Sequence, residues 1–372
     1  MRGFEKRTAA AGWGGSRHKS PVALACAIML CLSLMGLHAG CRKEGSPASK
    51  GVRKMVRLLS WKDFIDLDLL RDFEEETGIS VELNEYETSQ EMLAEVQSHP
   101  DSYDLLVVDA NLIPLLRELR VIEPLFEEEL LGLEAVKPAI RRFPLRDFQG
   151  ELGVPYLWGT TGLVVNTSKV SPEGVAWNDL WKKDYAGRVA LLDDTREAMM
   201  AILMSCGFSS NTRSSAELRV AEDKALKLRD NGVRLGETFD NIRGVMEGEL
   251  WLAEAYGGDV ALLAGGREGV AYVLPQEGFN VWLDCFVVNG CCRNREEAYA
   301  LLRFFLRPEV SARSALTFFY GTPLQAAEEI MRESGEYDPA LFPQDGQLEE
   351  GEIYVELGMV NREYERIFQL LR

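Results

Sequence analysis

Trp282 and Asp284 stand two residues apart in the run Phe279-Asn280-Val281-Trp282-Leu283-Asp284-Cys285-Phe286-Val287-Val288. Its β-branched and aromatic content, closed by Asn289-Gly290, predicts a strand leading into a turn. Alternate strand side chains share a face, so an indole plane and a carboxylate about 7 Å apart look one way while Leu283 looks the other. Such a pair suits an organic cation: the ring meets its methylenes or its charge, and the acid accepts its N–H bonds. A core tryptophan beside an acid at the strand's wet end is the structural alternative. A second group, Asp193-Asp194-Thr195-Arg196-Glu197, falls between a strand end and a helix start. Asp194 and Glu197 have capping-box spacing, a structural role. The helix N-terminus favours both as carboxylates, and lining a cleft they would form a fixed receptor for an ammonium group. Trp61, Phe64, Tyr256 and Tyr320 join Trp282 as aromatics near predicted strand or helix ends, with acids close by in sequence.

Enzyme signatures are missing. The chain has no GxSxG, no Walker loop, no GxGxxG after a strand and no HExxH. A pair of acids can do general acid/base work, but nothing marks a glycosidase-type pair. There are three histidines in all, and no CxxC pair or Cys/His spacing, so neither a metal or cofactor site nor histidine chemistry is expected. We expect a binding protein and not an enzyme.

The first forty residues read as a signal and not as part of the fold. Arg2, Lys6, Arg7, Arg17 and Lys19 form a basic leader, and Val22 to Leu37 is an apolar run too short and too early for a typical membrane span. It ends in Leu37-His38-Ala39-Gly40-Cys41, which resembles a bacterial lipobox, with His38 where leucine is usual. Acyl chains on Cys41 would anchor the chain to a membrane face without a spanning helix. The polar stretch from Arg42 to Lys50 would act as a tether. The formal charge of −18 becomes −22 once five basic residues and one acidic residue leave with residues 1–40. That balance argues against nucleic acid and anionic lipid headgroups as partners. Of seven cysteines, Cys206, Cys285, Cys291 and Cys292 remain after the leader and Cys41, and export leaves their pairing open.

The elements that must hold these residues alternate. Strand Val56–Trp61, a helix started by Asp66 and closed by Gly78, strand Ile79–Tyr86, a helix capped by Thr88 and Glu91, strand Tyr103–Asp109 and helix Asn111–Leu119 predict βαβ units and a parallel sheet. Ligands bind beyond the carboxyl ends of such strands, where Trp61 and Asp109 fall. A second α/β series follows: strand Gly162–Asn166, helix Trp177–Lys183, strand Arg188–Leu192, helices Thr195–Cys206, Ala216–Arg229 and Asn241–Glu247, and strands Leu250–Tyr256 and Val270–Leu274. Helices then dominate, and about 320 residues suit two domains.

The stretches Leu59-Ser60-Trp61-Lys62-Asp63-Phe64, Phe73-Glu74-Glu75-Glu76-Thr77-Gly78-Ile79, Tyr86-Glu87-Thr88-Ser89, Val154-Pro155-Tyr156-Leu157-Trp158-Gly159, Asp193-Asp194-Thr195-Arg196-Glu197 and Gly321-Thr322-Pro323 resemble, in order, the spermidine/putrescine-binding proteins of bacterial polyamine ABC importers. The resemblance runs from about Val56 to the C-terminus. It implies an α/β, two-lobed periplasmic-binding-protein fold of type II, each lobe a mainly parallel sheet flanked by helices, hinged by crossing strands. The lobes would be 55–158 with 283–328 and 159–282 with 329–372, after a signal at 1–40 and a tether at 41–54. It implies a monomer that carries a polyamine to ABC permease subunits.

Carried over residue by residue, Asp194 and Glu197 would take one terminal ammonium and Asp284 another amine, with Trp61, Trp282 and Tyr320 as aromatic walls. Asp63 falls within the same stretch as Trp61. Phe64 stands where a tyrosine is usual, Tyr256 where a tryptophan is, Asp109 where a serine is, and Tyr354 where a glutamine is. Lys62 replaces a neutral residue and would repel a polycation if it faced the cleft; Asp109 would offset it or bind a further amine. The alternatives are a receptor of the same fold for another solute, a sensor, or an exported acid/base enzyme.

Overall fold

The computed structural model describes residues 54–372 apart from 131, 144, 148–149 and 336–344. The leader, Cys41 and the tether lie outside the described residues. Local chemistry sets the first units as the sequence predicts. Strand β1 (Met55–Trp61) leads to helix α1 (Leu67–Thr77), whose Asp66 cap accepts from the N–H of Asp68. Leu69, Leu70 and Phe73 share its buried face, and Gly78, at φ 68°, closes it in the left-handed conformation that glycine adopts without strain. Strand β2 (Ser80–Tyr86), helix α2 (Ser89–Ser98), strand β3 (Leu105–Asp109) and helix α3 (Ile113–Glu118, entered through a 3-10 turn) complete the series. Leu105 to Val108 are all fully buried, as a central parallel strand covered on both faces requires.

A short hairpin, β4 (Arg146–Asp147) and β5 (Gly150–Glu151), precedes the 13-residue strand β6 (Val154–Asn166). Strand β7 (Val189–Leu192), helices α4 (Thr195–Met204) and α5 (Ser215–Asp230), strand β8 (Arg234–Gly236), helix α6 (Thr238–Met246), strand β9 (Leu252–Tyr256), helix α7 (Gly257–Ala264), strand β10 (Val270–Val273) and strand β11 (Asn280–Val288) follow. The chain ends in helices α8 (Arg295–Phe305), α9 (Pro308–Phe318), α10 (Gln325–Ser334), α11 (Asp345–Glu350) and α12 (Asn361–Phe368). Helix Trp177–Lys183 was expected; the chain instead forms two 3-10 turns, because Lys182 is extended at φ −64°, ψ 127°.

The strands join in the order β2-β1-β3-β11-β6-β9-β7-β8, with β10 beside β6. The three strands at one side are parallel to each other, as are β9, β7 and β8 at the other. Between them the long strands β11 and β6 run antiparallel and belong to both sides: β11 pairs β3, and β6 pairs β9 and β10. This is a two-lobed α/β fold with crossing strands. The first core holds Phe73, Leu105 and Phe286 and reaches Met331 and Leu348, beyond the exchange at 328/329 expected from the sequence. Tyr354 and Tyr364 pack in the second core with Trp177 and helix α4.

One buried charge ties the first lobe together. Asp104, fully buried, accepts from the backbone N–H, Nε and Nη2 of Arg57 at 2.9, 3.1 and 2.9 Å, from the N–H groups of Arg293 and Asn294 at 3.0 and 3.2 Å, and from Asn294 Nδ2 at 2.9 Å. Burial pushes its pKa up, but Arg57, Asn294 and the backbone donors more than reverse this and hold the carboxyl well below the usual range. It thereby fixes the ends of β1, β3 and β11 that lie away from the cleft. Asp104→Ala should lower the unfolding free energy by about 3–5 kcal/mol, because it strands the Arg57 guanidinium. Urea denaturation checks this, and a loss below about 1 kcal/mol would show the knot to be incidental.

Candidate functional site

The carboxyl ends of β1 and β3 meet the crossing strands, and there the sequence-predicted residues collect. Trp61 ends β1, and its indole N–H donates to Asp284 Oδ1 at 2.8 Å. The ring is held against Tyr86, centroids 4.4 Å apart, and Tyr86 is fixed by its hydroxyl bond to the Val107 carbonyl at 2.6 Å. Asp284 lies on β11 directly opposite Asp109 at the end of β3. Asp109 Oδ1 accepts from the Asn111 N–H at 2.9 Å, which caps the turn that follows.

Next along β11, Trp282 lies over Gly159 of β6, its register partner. A Cβ at Gly159 would stand 2.3 Å from the indole Cζ2, so only glycine lets the ring lie flat. Tyr320 meets the Trp282 ring edge-on at 4.7 Å, and Tyr256 meets it at 6.1 Å. Tyr320 follows Phe319, which is left-handed at φ 57°, and its ring fits over Gly258, where a Cβ would come within 2.3 Å. Phe64 packs on Tyr320, Phe318 and Tyr156.

The opposite wall comes from the second lobe. Asp194 caps α4, its Oδ1 accepting from the N–H groups of Arg196 and Glu197 at 2.7 and 3.0 Å. Glu197 is buried, and its Oε2 accepts the Tyr354 hydroxyl at 2.8 Å. Arg196 stacks on the Tyr354 ring at 4.5 Å and donates to Asn211 and the Val355 carbonyl, clamping the C-terminal segment to the start of α4. Tyr354 therefore positions Glu197.

One predicted residue points elsewhere. Asp63 is exposed in a left-handed turn whose N–H is held by Glu85. Lys62, which would repel a cation inside the cleft, is exposed and paired with Glu87.

Glu254 and Asp259 were not foreseen. Glu254 is fully buried on β9; one oxygen accepts from the Leu192 N–H at 2.8 Å and the other is buried with no donor among the described residues. Its signal was the alternation Leu252-Ala253-Glu254-Ala255-Tyr256, which puts the acid on the face of Tyr256. Asp259 accepts the Tyr320 hydroxyl at 2.7 Å; nothing in its local sequence marked it.

These acids act on each other. Burial raises Glu197 to about 8; the Asp194 charge adds to that, the Tyr354 hydroxyl opposes it, and Asp109 raises it further. Burial raises Asp109 to about 6 against the pull of the Asn111 N–H and of Arg196, with Asp194 adding to the rise. Asp284 is raised by burial and by Asp109, and Glu254 by burial and by Glu197. Asp109 on one lobe thus lies near enough to Asp194, Arg196 and Glu197 on the other for their charges to act on one another.

Two lobes joined by crossing strands, with acids and ring faces gathered where they meet, fit an extracytoplasmic solute receptor. Residues 68–343 match the bacterial extracellular solute-binding protein family, and the chain belongs to that family. It is 30% identical over 315 residues to the spermidine/putrescine-binding periplasmic protein of Escherichia coli (strain K12), a match covering 84% of this chain and 90% of that protein. It is 27% identical over 305 residues to the putrescine/agmatine-binding protein of Pseudomonas aeruginosa, covering 77% and 83%. Among solved structures, the spermidine/putrescine ABC transporter substrate-binding protein PotD of Streptococcus pneumoniae superposes with a TM-score of 0.76 at 26% identity, covering 86% of this chain and 98% of that one.

The raised carboxylates set a pH dependence. Between about pH 4, where a glutamate titrates in an unfolded chain, and about 8, the folded protein holds a proton on Glu197 that the unfolded chain has lost. Stability from this group therefore falls as pH rises through that window. The parent should lose stability from pH 5 to pH 8 relative to Glu197→Gln, which has no such proton to lose. Denaturation midpoints of both proteins at the two pH values test it; parallel slopes would mean that Glu197 is already ionised.

Proposed function

We propose that this chain is an extracytoplasmic receptor for polyamines of the spermidine and putrescine class, held to a membrane face by lipid on Cys41, that hands its ligand to an ABC permease. The observation that carries the reading is the meeting, across one gap, of Asp109 and Asp284 with Asp194, Glu197 and Glu254, and of the Trp61, Trp282, Tyr256 and Tyr320 rings. Rings pack on methylenes and carboxylates accept ammonium N–H bonds, which is the alternation a polyamine presents. The acids stand in ones and twos: among the described residues no three of His, Cys, Asp or Glu come together to hold a metal ion. An elongated cation fits that spacing better than a compact one. The names and family of the relatives point to the same class of solute.

No bond is made or broken in this function. The ligand supplies the positive charge that lets both walls ionise, so binding and closure of the lobes are one event, and the hinge lies in β6 and β11. With the lobes exchanging at 158/159 and 282/283, as the resemblance implies, the hinge would fall at Gly159 and Trp282, beside the aromatic wall. Each charge-assisted hydrogen bond in the closed cleft contributes about 1.5–3 kcal/mol. Two or three of them with the ring contacts suffice for a Kd near micromolar, about −8 kcal/mol.

Calorimetric titration with putrescine, spermidine and spermine beside a panel of amino acids checks the ligand class. Polyamines alone should bind, and Asp284→Asn should weaken them roughly tenfold or more. Tight binding of an amino acid with no polyamine response would move the chain to another solute, and unchanged affinity in Asp284→Asn would remove that residue from the site.

A further inference from the structure

Asp109 and Asp284 face one another across an antiparallel strand pair. Side chains so placed share a face with Cβ atoms about 4.5–5.5 Å apart, which puts two carboxylates at one spot on the first-lobe wall. Asp284 is only 8% exposed; the Trp61 indole takes one of its oxygens, and the other has no donor among the described residues. The second oxygen of Asp109 likewise has none. Lys62, the basic residue next to Trp61, is bound to Glu87 on the outer surface. Arg196 reaches Asp109 only through space, while its guanidinium is stacked on Tyr354 and bonded to Asn211. On the far wall, the second oxygen of Glu254 also has no donor among the described residues.

We propose that Asp109 is a specificity-determining residue: by turning Asp284 into a two-carboxylate subsite, it makes this receptor favour polyamines with three or more amines over diamines. The inference rests on the polyamine reading of the cleft. Two carboxylates at this spacing, Asp284 buried and Asp109 half-buried, do not both ionise unaided, so the empty pair keeps a proton between them. A diamine brings one ammonium to each wall. At the first lobe it meets a pair carrying a single negative charge, and Asp109 adds little that Asp284 alone does not supply. A triamine or tetramine brings a second ammonium along the same wall, both acids ionise, and a further charge-assisted bond forms. The gain is roughly ten- to a hundredfold in affinity, available only to the longer ligands.

The test is calorimetric titration of putrescine, spermidine and spermine into the full mature chain and into Asp109→Ser and Asp109→Asn. The asparagine variant keeps an oxygen for the Asn111 N–H, so it separates loss of charge from loss of the turn. The expected result is a parent that prefers spermidine and spermine, and variants that lose roughly ten- to a hundredfold for these two while putrescine changes by about threefold or less. Equal losses for all three ligands, or no loss, would overturn the role of Asp109 and leave the parent's polyamine binding intact. A parent that binds none of the three would overturn the functional reading and this inference with it.

Discussion

Carboxylates that outnumber the cations around them govern this structure. Asp109, Asp284, Glu197 and Glu254 are drawn from water into one region, and Arg196 is the guanidinium that acts on Asp109 within it. An ionised carboxylate in such surroundings is unfavourable unless something positive stands beside it. The empty protein meets that constraint by keeping protons on some of the acids. On the proposed function, a bound polycation meets it by replacing those protons with ammonium groups. On that reading, the same charges that make the empty cleft uncomfortable become its binding energy.

The fold brings the acids together by simple means. Parallel strands deliver Trp61 and Asp109 at their carboxyl ends, a helix start delivers Asp194 and Glu197, and β11 crosses between, bringing Trp282 and Asp284. The supports are rigid where the site needs them. Asp104 locks the far ends of three neighbouring strands. Glycines at 159 and 258 let two rings approach the backbone, and the Arg196 clamp carries Tyr354 to Glu197.

What was legible in the sequence follows from the range of the interactions involved. Asp66 and Gly78 announce their helix because capping is decided within a few residues, and the alternation around Trp282 announces both strand and shared face. Asp109 stood out by lying at a strand's carboxyl end, yet its place opposite Asp284 depends on a register between distant strands that no local pattern records. Glu254 was hard to single out: among small and aromatic residues it looked like an ordinary strand position, and what sets it beside Glu197 is the pairing of β9 with β7 and the packing of α4 on β7. Lys62 looked like a threat to the cleft, and the turn that follows β1 carries it outward to Glu87.

The exchange of protons for ammonium groups can be measured directly. Spermidine binding at pH 7, followed by calorimetry in buffers of different ionisation enthalpy, gives the number of protons that leave the protein. The expected result is binding accompanied by net release on the order of one proton per ligand, because Glu197 titrates near 8 in the empty cleft. Binding whose heat is the same in every buffer would contradict it, since the acids would then have been charged before the ligand arrived.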